Sequence, residues 1–479
     1  MFGNKRNKFL PYGRQLLAGT EYRAVRRVLK SPFLTQGPCV ERFEEALRKL
    51  TGAPYAVAVA NGTMALDLAV RAVKMQCGLK EGALALTTPN TFVASSNALL
   101  YNQLTPLFCD ISPETYNLSL SKAERLLARH NGEDSDSQKP IELLLPVHFA
   151  GEPLDMARLS RLAQEYASET KAGKQAGPDA PGTANVSLNR TDENDGTRAA
   201  ETVSGQMSEG APQSKRPLPI IEDAAHALGS YYAEGDWHKG KAGAEGANAV
   251  GSCVYSDACC FSFHPVKTVT TGEGGAITCR DPQLHEILLL LRNHGIARDP
   301  EFWLNAAENC EGVDLNLPGR TETPMWYYEM QALGYNARLS DIHAAVGIEQ
   351  LRRLRGFSRR RRDLALRYDR AFRDVSWMRV PQISGTACLH LYVVQIDFAY
   401  LRLSRNAVMR ELRAQGIGSQ VHYIPIPMQP FYRHLGYNMA GLENTWNYYG
   451  GALSLPLYPG LRLGEQERVI RAVCRLAEL

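Results

Sequence analysis

From about Ala56 onward, short apolar runs alternate with segments whose apolar positions recur every three or four residues. Ala83 to Thr87, Thr105 to Asp110, Ile141 to Val147 and Leu218 to Glu222 read as strands. Phe92 to Tyr101 and Asp155 to Ala167 read as helices between them. Unbroken apolar runs of this length suit strands covered on both faces, as parallel sheets are. The order therefore predicts an α/β fold with a mostly parallel central sheet flanked by helices. After Ser340 a helical pattern returns. The basic run Arg352 to Arg362 is interleaved with Leu351, Leu354 and Phe357 and leads on to Leu364, Tyr368 and Phe372. It predicts an amphipathic helix with a solvated basic face; anion binding is the rival reading. The remaining alternation of strand-like and helical stretches predicts a smaller α/β domain. The chain divides, on this reading, into a large domain over residues 1–300 and a small C-terminal one over 301–479.

The pattern fails from about Ser168 to Arg216, which has no aromatic residue and few large aliphatics. Such a stretch buries too little apolar surface to offset its ordering entropy, so a disordered surface insertion is expected. Removing it would join a helix to a strand by a short connection, the norm in such folds. A regulatory binding segment is the alternative. A smaller insertion is expected over roughly Gly235 to Ala249, and a loop over Asp299 to Pro324.

Composition narrows the class. The chain has 479 residues, 44% hydrophobic and 22% charged, and a formal charge of +4. That suits a soluble globular protein and gives no argument for nucleic acid. No apolar run approaches the ~20 residues that span a bilayer. Met1 to Leu10 lacks the apolar core of a secretory signal, so no membrane partner and a cytoplasmic location are expected. The ten cysteines are scattered, with no CxxC pair. They read as reduced, buried thiols, with no metal site.

Three segments carry candidate chemistry. Phe261-Ser262-Phe263-His264-Pro265-Val266-Lys267 runs into Thr270-Thr271-Gly272-Glu273-Gly274-Gly275. A lysine ending an apolar run can sit in a dry pocket, where its charged form is disfavoured. A neutral amine attacks aldehydes, so Lys267 is a candidate Schiff-base lysine; a surface lysine ending a strand is the plain alternative. Upstream, Leu218-Pro219-Ile220-Ile221 leads into Glu222-Asp223-Ala224-Ala225-His226, an acid at the functional edge of a buried strand. Asp223 there suits a protonated pyridine nitrogen, or else caps a helix. Finally Ala56-Val57-Ala58-Val59-Ala60-Asn61-Gly62-Thr63-Met64 reads as strand, turn and helix start, a ready anion site or an ordinary capped helix. No GxGxxG follows a strand, so a dinucleotide fold lacks support.

In this order the three segments resemble the DegT/DnrJ/EryC1/StrS sugar-nucleotide aminotransferases, from about Leu10 to the C-terminus apart from the insertions. Phe33-Leu34-Thr35-Gln36-Gly37-Pro38, Thr88-Pro89-Asn90-Thr91-Phe92-Val93-Ala94, Leu333-Gly334-Tyr335-Asn336-Ala337-Arg338-Leu339, His422-Tyr423-Ile424-Pro425 and Ser454-Leu455-Pro456-Leu457 add to the match. Within the family, Ser262 to Lys267, Trp326-Tyr327-Tyr328-Glu329 and Tyr423 to Tyr432 look most like the pseudaminic-acid branch, which makes UDP-4-amino-4,6-dideoxy-N-acetyl-β-L-altrosamine.

The resemblance implies a fold type I enzyme using pyridoxal 5'-phosphate (PLP). It makes Lys267 the cofactor-bearing lysine and proton shuttle, and Asp223 the partner of the pyridine nitrogen. His226 lies beside the cofactor, and Phe92 stacks on its ring. Thr63, the amides of Gly62 and Met64, and Ser262 cradle the phosphate. Asn336 reaches that phosphate from a second subunit, implying a homodimer with a shared site. Phe33, Thr35, Gln36, His422 and Tyr423 are candidate substrate contacts. The partners implied are L-glutamate as amino donor and a UDP-4-keto-6-deoxy sugar as acceptor. Dehydrating relatives carry histidine where Lys267 stands, so transamination is favoured. The rivals are another dTDP- or UDP-ketosugar, and a non-catalytic scaffold of the same fold.

Overall fold

The computed structural model describes residues 9–132, 139–169, 215–232, 248–299, 302–304 and 326–478. Its centre is a twisted sheet. Strand Tyr55–Val59 pairs antiparallel with Gly275–Cys279, which pairs antiparallel with Ala258–Ser262. Ala258–Ser262 runs parallel to Ile221–Asp223. Parallel bridges Leu144↔Ile220 and Val147↔Asp223 then join a second set, in which Leu84–Thr87 lies between Ile141–Leu145 and Thr105–Phe108, all parallel. Gly275–Cys279 alone among these strands runs against the rest, so the α/β architecture is mostly parallel, as the apolar runs require.

Both faces of the sheet are covered, and the period of two is visible in the cores. Val57, Val59, Leu143, Leu145 and Ile221 pack on one side against helices Gly62–Cys77, Val93–Tyr101 and Pro282–Arg292. Ala56, Ala58, Leu84, Leu86 and Leu144 pack on the other against Pro38–Thr51, Met156–Glu165 and the first half of Asp341–Phe372. This covering is why the strands are mostly apolar, with Glu222 and Asp223 a marked exception.

A separate core lies toward the C-terminus. Strand Tyr392–Ile396 pairs antiparallel with Met378–Arg379 and with Ala452–Leu455. Helices Arg405–Ala414 and Leu463–Cys474 cover it, and Leu10 from the N-terminal end joins it. The 32-residue helix Asp341–Phe372 links the two regions. Its Ala344, Leu354 and Phe357 belong to the sheet's core, its Leu364, Tyr368 and Phe372 to the C-terminal core.

The expected insertions and loop lie mostly outside the described residues. The two ends of the longest are described: Ser168–Glu169 pairs antiparallel with Lys215–Arg216. No helix among the described residues is long and apolar enough to cross a bilayer.

Candidate active site

A pocket of about 900 Å³ opens at the C-terminal edge of the central sheet. Gly62, Thr63, Met64, Phe92, Asp223, His226, Ser262 and Lys267 line it, with His422 and Tyr423 from the C-terminal part. Residues far apart in the chain thus meet because parallel strands end side by side there.

One end of the pocket is built for an anion. Asn61 caps the helix Gly62–Cys77, its Oδ1 accepting the Met64 amide at 2.9 Å. The Met64 amide, expected to face an anion, is therefore taken. Gly62 and Thr63, the first residues of that helix, have amides that no preceding turn can accept. The Ser262 hydroxyl accepts a long contact from the His264 amide and donates to nothing among the described residues. Space is tight here. A Cβ on Gly62 would lie 2.8 Å from Ser262 Cβ, and one on Gly275 would lie 2.3 Å from the Asn61 carbonyl oxygen. Glycine at both positions lets the turn sit against the two neighbouring strands.

At the centre stand Asp223 and Lys267. Asp223 Oδ2 accepts from Ser95 Oγ at 2.6 Å, and Oδ1 from the Ala225 amide at 3.0 Å. Thr91 Oγ1 and Ser95 Oγ lie 2.7 Å apart, continuing the chain of hydroxyls. The carboxylate is thereby fixed in one orientation. Neither hydroxyl was assigned from sequence: Thr91 precedes Phe92, the N-cap of helix Val93–Tyr101, and Ser95 stands in that helix's first turn. Burial pushes the Lys267 amine down to about 8, and the nearby Asp223 charge opposes that shift. An amine near 8 is neutral often enough at physiological pH to act as a nucleophile or base.

His226 is neutral. Its Nδ1 accepts the Ala150 amide at 3.2 Å, and its Nε2 lies 3.1 Å from Tyr423 Oη. Burial and the Lys267 charge hold its pKa well below the usual range. The same two causes push His422 down to about 3. His422 Nδ1 pairs with Ser454 Oγ at 2.7 Å. Phe92, 57% exposed, stands on the pocket wall with its ring 6.1 Å from that of Tyr423.

Four expected site residues stand apart from the pocket of their own chain. Phe33 lines a different surface basin with Pro38 and Asp341. Thr35 is bridged to Ser340, and the Gly37 and Cys39 amides are tied to the Asp341 carboxylate, which fixes Gln36 beside them. Asn336 is exposed and bridged to Asn293. Within one chain, then, Phe33, Thr35 and Gln36 are not pocket contacts, because Asp341 and Ser340 hold their segment elsewhere. They and Asn336 gather along one stretch of surface.

The model of the DegT/DnrJ/EryC1/StrS aminotransferase family matches residues 16–168 and 211–474. The chain belongs to that family. The match breaks within the polar stretch between Ser168 and Arg216. A relative, the spore coat polysaccharide biosynthesis protein SpsC of Bacillus subtilis, is 30% identical over 98% of this chain and 97% of its own. Among solved structures, PseC of Helicobacter pylori, an aminotransferase of pseudaminic acid biosynthesis, superposes with a TM-score of 0.72. It is 24% identical, covering 98% of this chain and 100% of its own. The sugar aminotransferase Spr1654 of Streptococcus pneumoniae, described as putative and solved in its PLP form, gives 0.72 at 22% identity, covering 98% and 99%. This likeness establishes the fold type I architecture.

Aminotransferases of this family use PLP. The pocket's donor set fits it. The free amides of Gly62 and Thr63 and the Ser262 hydroxyl suit a phosphate dianion. The fixed Asp223 carboxylate suits a protonated ring nitrogen, and Lys267 suits an aldehyde.

Proposed function

We propose that this aminotransferase moves an amino group from L-glutamate to C4 of a UDP-4-keto-6-deoxy-N-acetylhexosamine, as in the pseudaminic acid route. The observation that carries the amino-transfer reading is one pocket holding Lys267 with its lowered pKa, the pinned Asp223 carboxylate and an unclaimed anion cradle. The acceptor is supported by the sequence resemblance to the pseudaminic-acid branch and by the fold shared with PseC. The 30% identity to SpsC, named for spore coat polysaccharide, favours a second reading in which another ketosugar nucleotide is the acceptor.

Bound PLP supplies the electron sink that makes an amino acid's Cα–H bond acidic. Lys267 Nζ takes that proton and returns it, a role its pKa near 8 permits. Asp223 would keep the cofactor's pyridine nitrogen protonated, and Ser95 and Ala225 keep Asp223 in place. Thr63, Gly62 and Ser262 would hold the cofactor's phosphate, and Phe92 would cover its ring and exclude water. His422 and Tyr423 face the substrate side.

A second copy completes the site in this reading. Trp326, Tyr328, Leu333 and Tyr335 are 65%, 52%, 67% and 42% exposed, close in sequence to Asn336. An apolar surface of that density is expected to be covered. Asn336 and the Phe33–Gln36 segment of one subunit would then meet the other subunit's pocket.

The test is a panel of ketosugar nucleotides offered to enzyme preloaded with amino groups from L-glutamate. Amination of the UDP-4-keto-6-deoxy-N-acetylhexosamine in preference to the others supports the assignment. Preference for a dTDP- or 3-keto sugar moves it to the second reading. Failure to take an amino group from any amino acid would leave the non-catalytic scaffold.

A further inference from the structure

On the face of strand Ile221–Asp223 opposite the pocket lies a carboxylate that the chemistry above does not use. Glu222 is fully buried. Its Oε2 accepts from His148 Nε2 at 2.6 Å and from Tyr232 Oη at 2.5 Å, and its Oε1 accepts from Ser256 Oγ. All three groups donate, so the site calls for an acceptor-only carboxylate.

His148 is held at both nitrogens. Its Nδ1 accepts the Leu154 amide at 3.1 Å, which leaves its single proton on Nε2, facing Glu222. Between His148 and Leu154 the chain makes a tight turn. Ala150 is left-handed there (φ 58°, ψ 7°), a conformation an L-residue keeps only when its surroundings impose it. In that conformation the Ala150 amide donates to His226 Nδ1, while its carbonyl accepts from His390 and Leu391. His226 thus carries its proton on Nε2, directed toward the pocket and, in this structure, at Tyr423 Oη. The same turn grips Asp223, whose carbonyl accepts the His148 amide at 3.0 Å.

We propose that Glu222 is a positioning residue: through His148 and the 148–154 turn it fixes the tautomer of His226 and aims that N–H into the cofactor pocket. A structural role alone would require only that Glu222 be satisfied. The positioning role requires that the Ala150 amide stay on His226.

The decisive measurement is the tautomer of His226 in the cofactor-free protein, read from ring-¹⁵N-labelled histidine and assigned by loss of one signal in His226→Gln. It involves no substrate, so it stands apart from the choice of sugar. In the wild type a neutral Nε2–H ring is expected from pH 6 to 8. Glu222→Gln places a donating amide among three donors, and the His226 signal should move to an average of the two tautomers. PLP binding, followed by fluorescence, should weaken in proportion to the Nε2–H form lost, about twofold for an equal mixture. Tyr232→Phe removes one donor yet leaves the His148–Glu222 bond, and should keep the wild-type tautomer. If Glu222→Gln does not fold, His148→Gln is read in the same way. A folded Glu222→Gln or His148→Gln with His226 still wholly Nε2–H overturns the proposal. So does a Tyr232→Phe variant that loses the tautomer as fully as Glu222→Gln.

Discussion

Lys267 should make the cofactor-free protein less stable than it would be with an apolar residue in its place, and that cost should fade as pH rises. The amine titrates near 10.5 in the unfolded chain and near 8 in the pocket. Between those values the unfolded state binds the extra proton, so stability rises with pH across that window. At pH 7 both forms are mostly charged, and the 2.5-unit difference corresponds to about 3 kcal/mol. At pH 9.5 the pocket amine is neutral while the unfolded one is still charged, and the residual cost falls to about 1.4 kcal/mol. Lys267→Met removes the titrating group and keeps a similar length. Urea unfolding of the two cofactor-free proteins should therefore show the variant more stable at pH 7, with the gap narrowing by about 2 kcal/mol at pH 9.5. Other titrating groups are common to both proteins and cancel. A gap that stays constant or widens with pH would refute the idea that burial in this pocket holds the amine down.

Asp223→Asn keeps the shape of the pinned side chain and removes its charge. Turnover should fall at least about a hundredfold, as when a dry site loses a charge contact. The Lys267 pKa should drop below 8, because Asp223 is the group holding it up; the pH dependence of PLP capture would report it. Gly62→Ala places a methyl 2.8 Å from Ser262 Cβ, and a PLP titration should show about tenfold weaker binding with little change in fold. Replacing residues 170–214 with an Asn-Gly turn should leave folding and turnover nearly intact, because Glu169 and Lys215 are already cross-strand partners. Loss of soluble, active enzyme in that variant would show that the segment contributes more than a connection.

The central sheet was legible because strands buried on both faces must be written in apolar residues. Leu84–Thr87 and Ile141–Leu145 fall inside the runs that announce them. The strand expected over Leu218 to Glu222 instead spans Ile221–Asp223. Pro219 has no amide to give a ladder, and Asp223 is drawn in by the Pro146 carbonyl. Gly275–Cys279 was hidden in a glycine-rich stretch, since the glycine that admits the Asn61 turn also erases the strand signal. In the pocket, Lys267 and Asp223 were visible because each breaks an apolar run. Ser95 and Thr91 were not, because a hydroxyl in or just before a helix's first turn is commonplace until a carboxylate from a strand arrives beside it. Where Phe33, Thr35 and Gln36 stand could not be read from their own segment, because Asp341, some three hundred residues later, decides where it lies.

The helix Asp341–Phe372 has a mechanical consequence. At 1.5 Å per residue it is a rod about 48 Å long, clamped in a different core at each end. Tyr423 comes from beyond its far end and His226 from the near side, so the rod is one of the ties that set their separation. Gly356 lies on its exposed side between Leu354 and Phe357, at the end of the first clamped stretch, with nothing within 4 Å of where a side chain would stand. An interior glycine costs about 1 kcal/mol against alanine and leaves the helix softer at that point. Gly356→Ala would then stiffen the rod where it leaves the sheet's core, at a position remote from the chemistry.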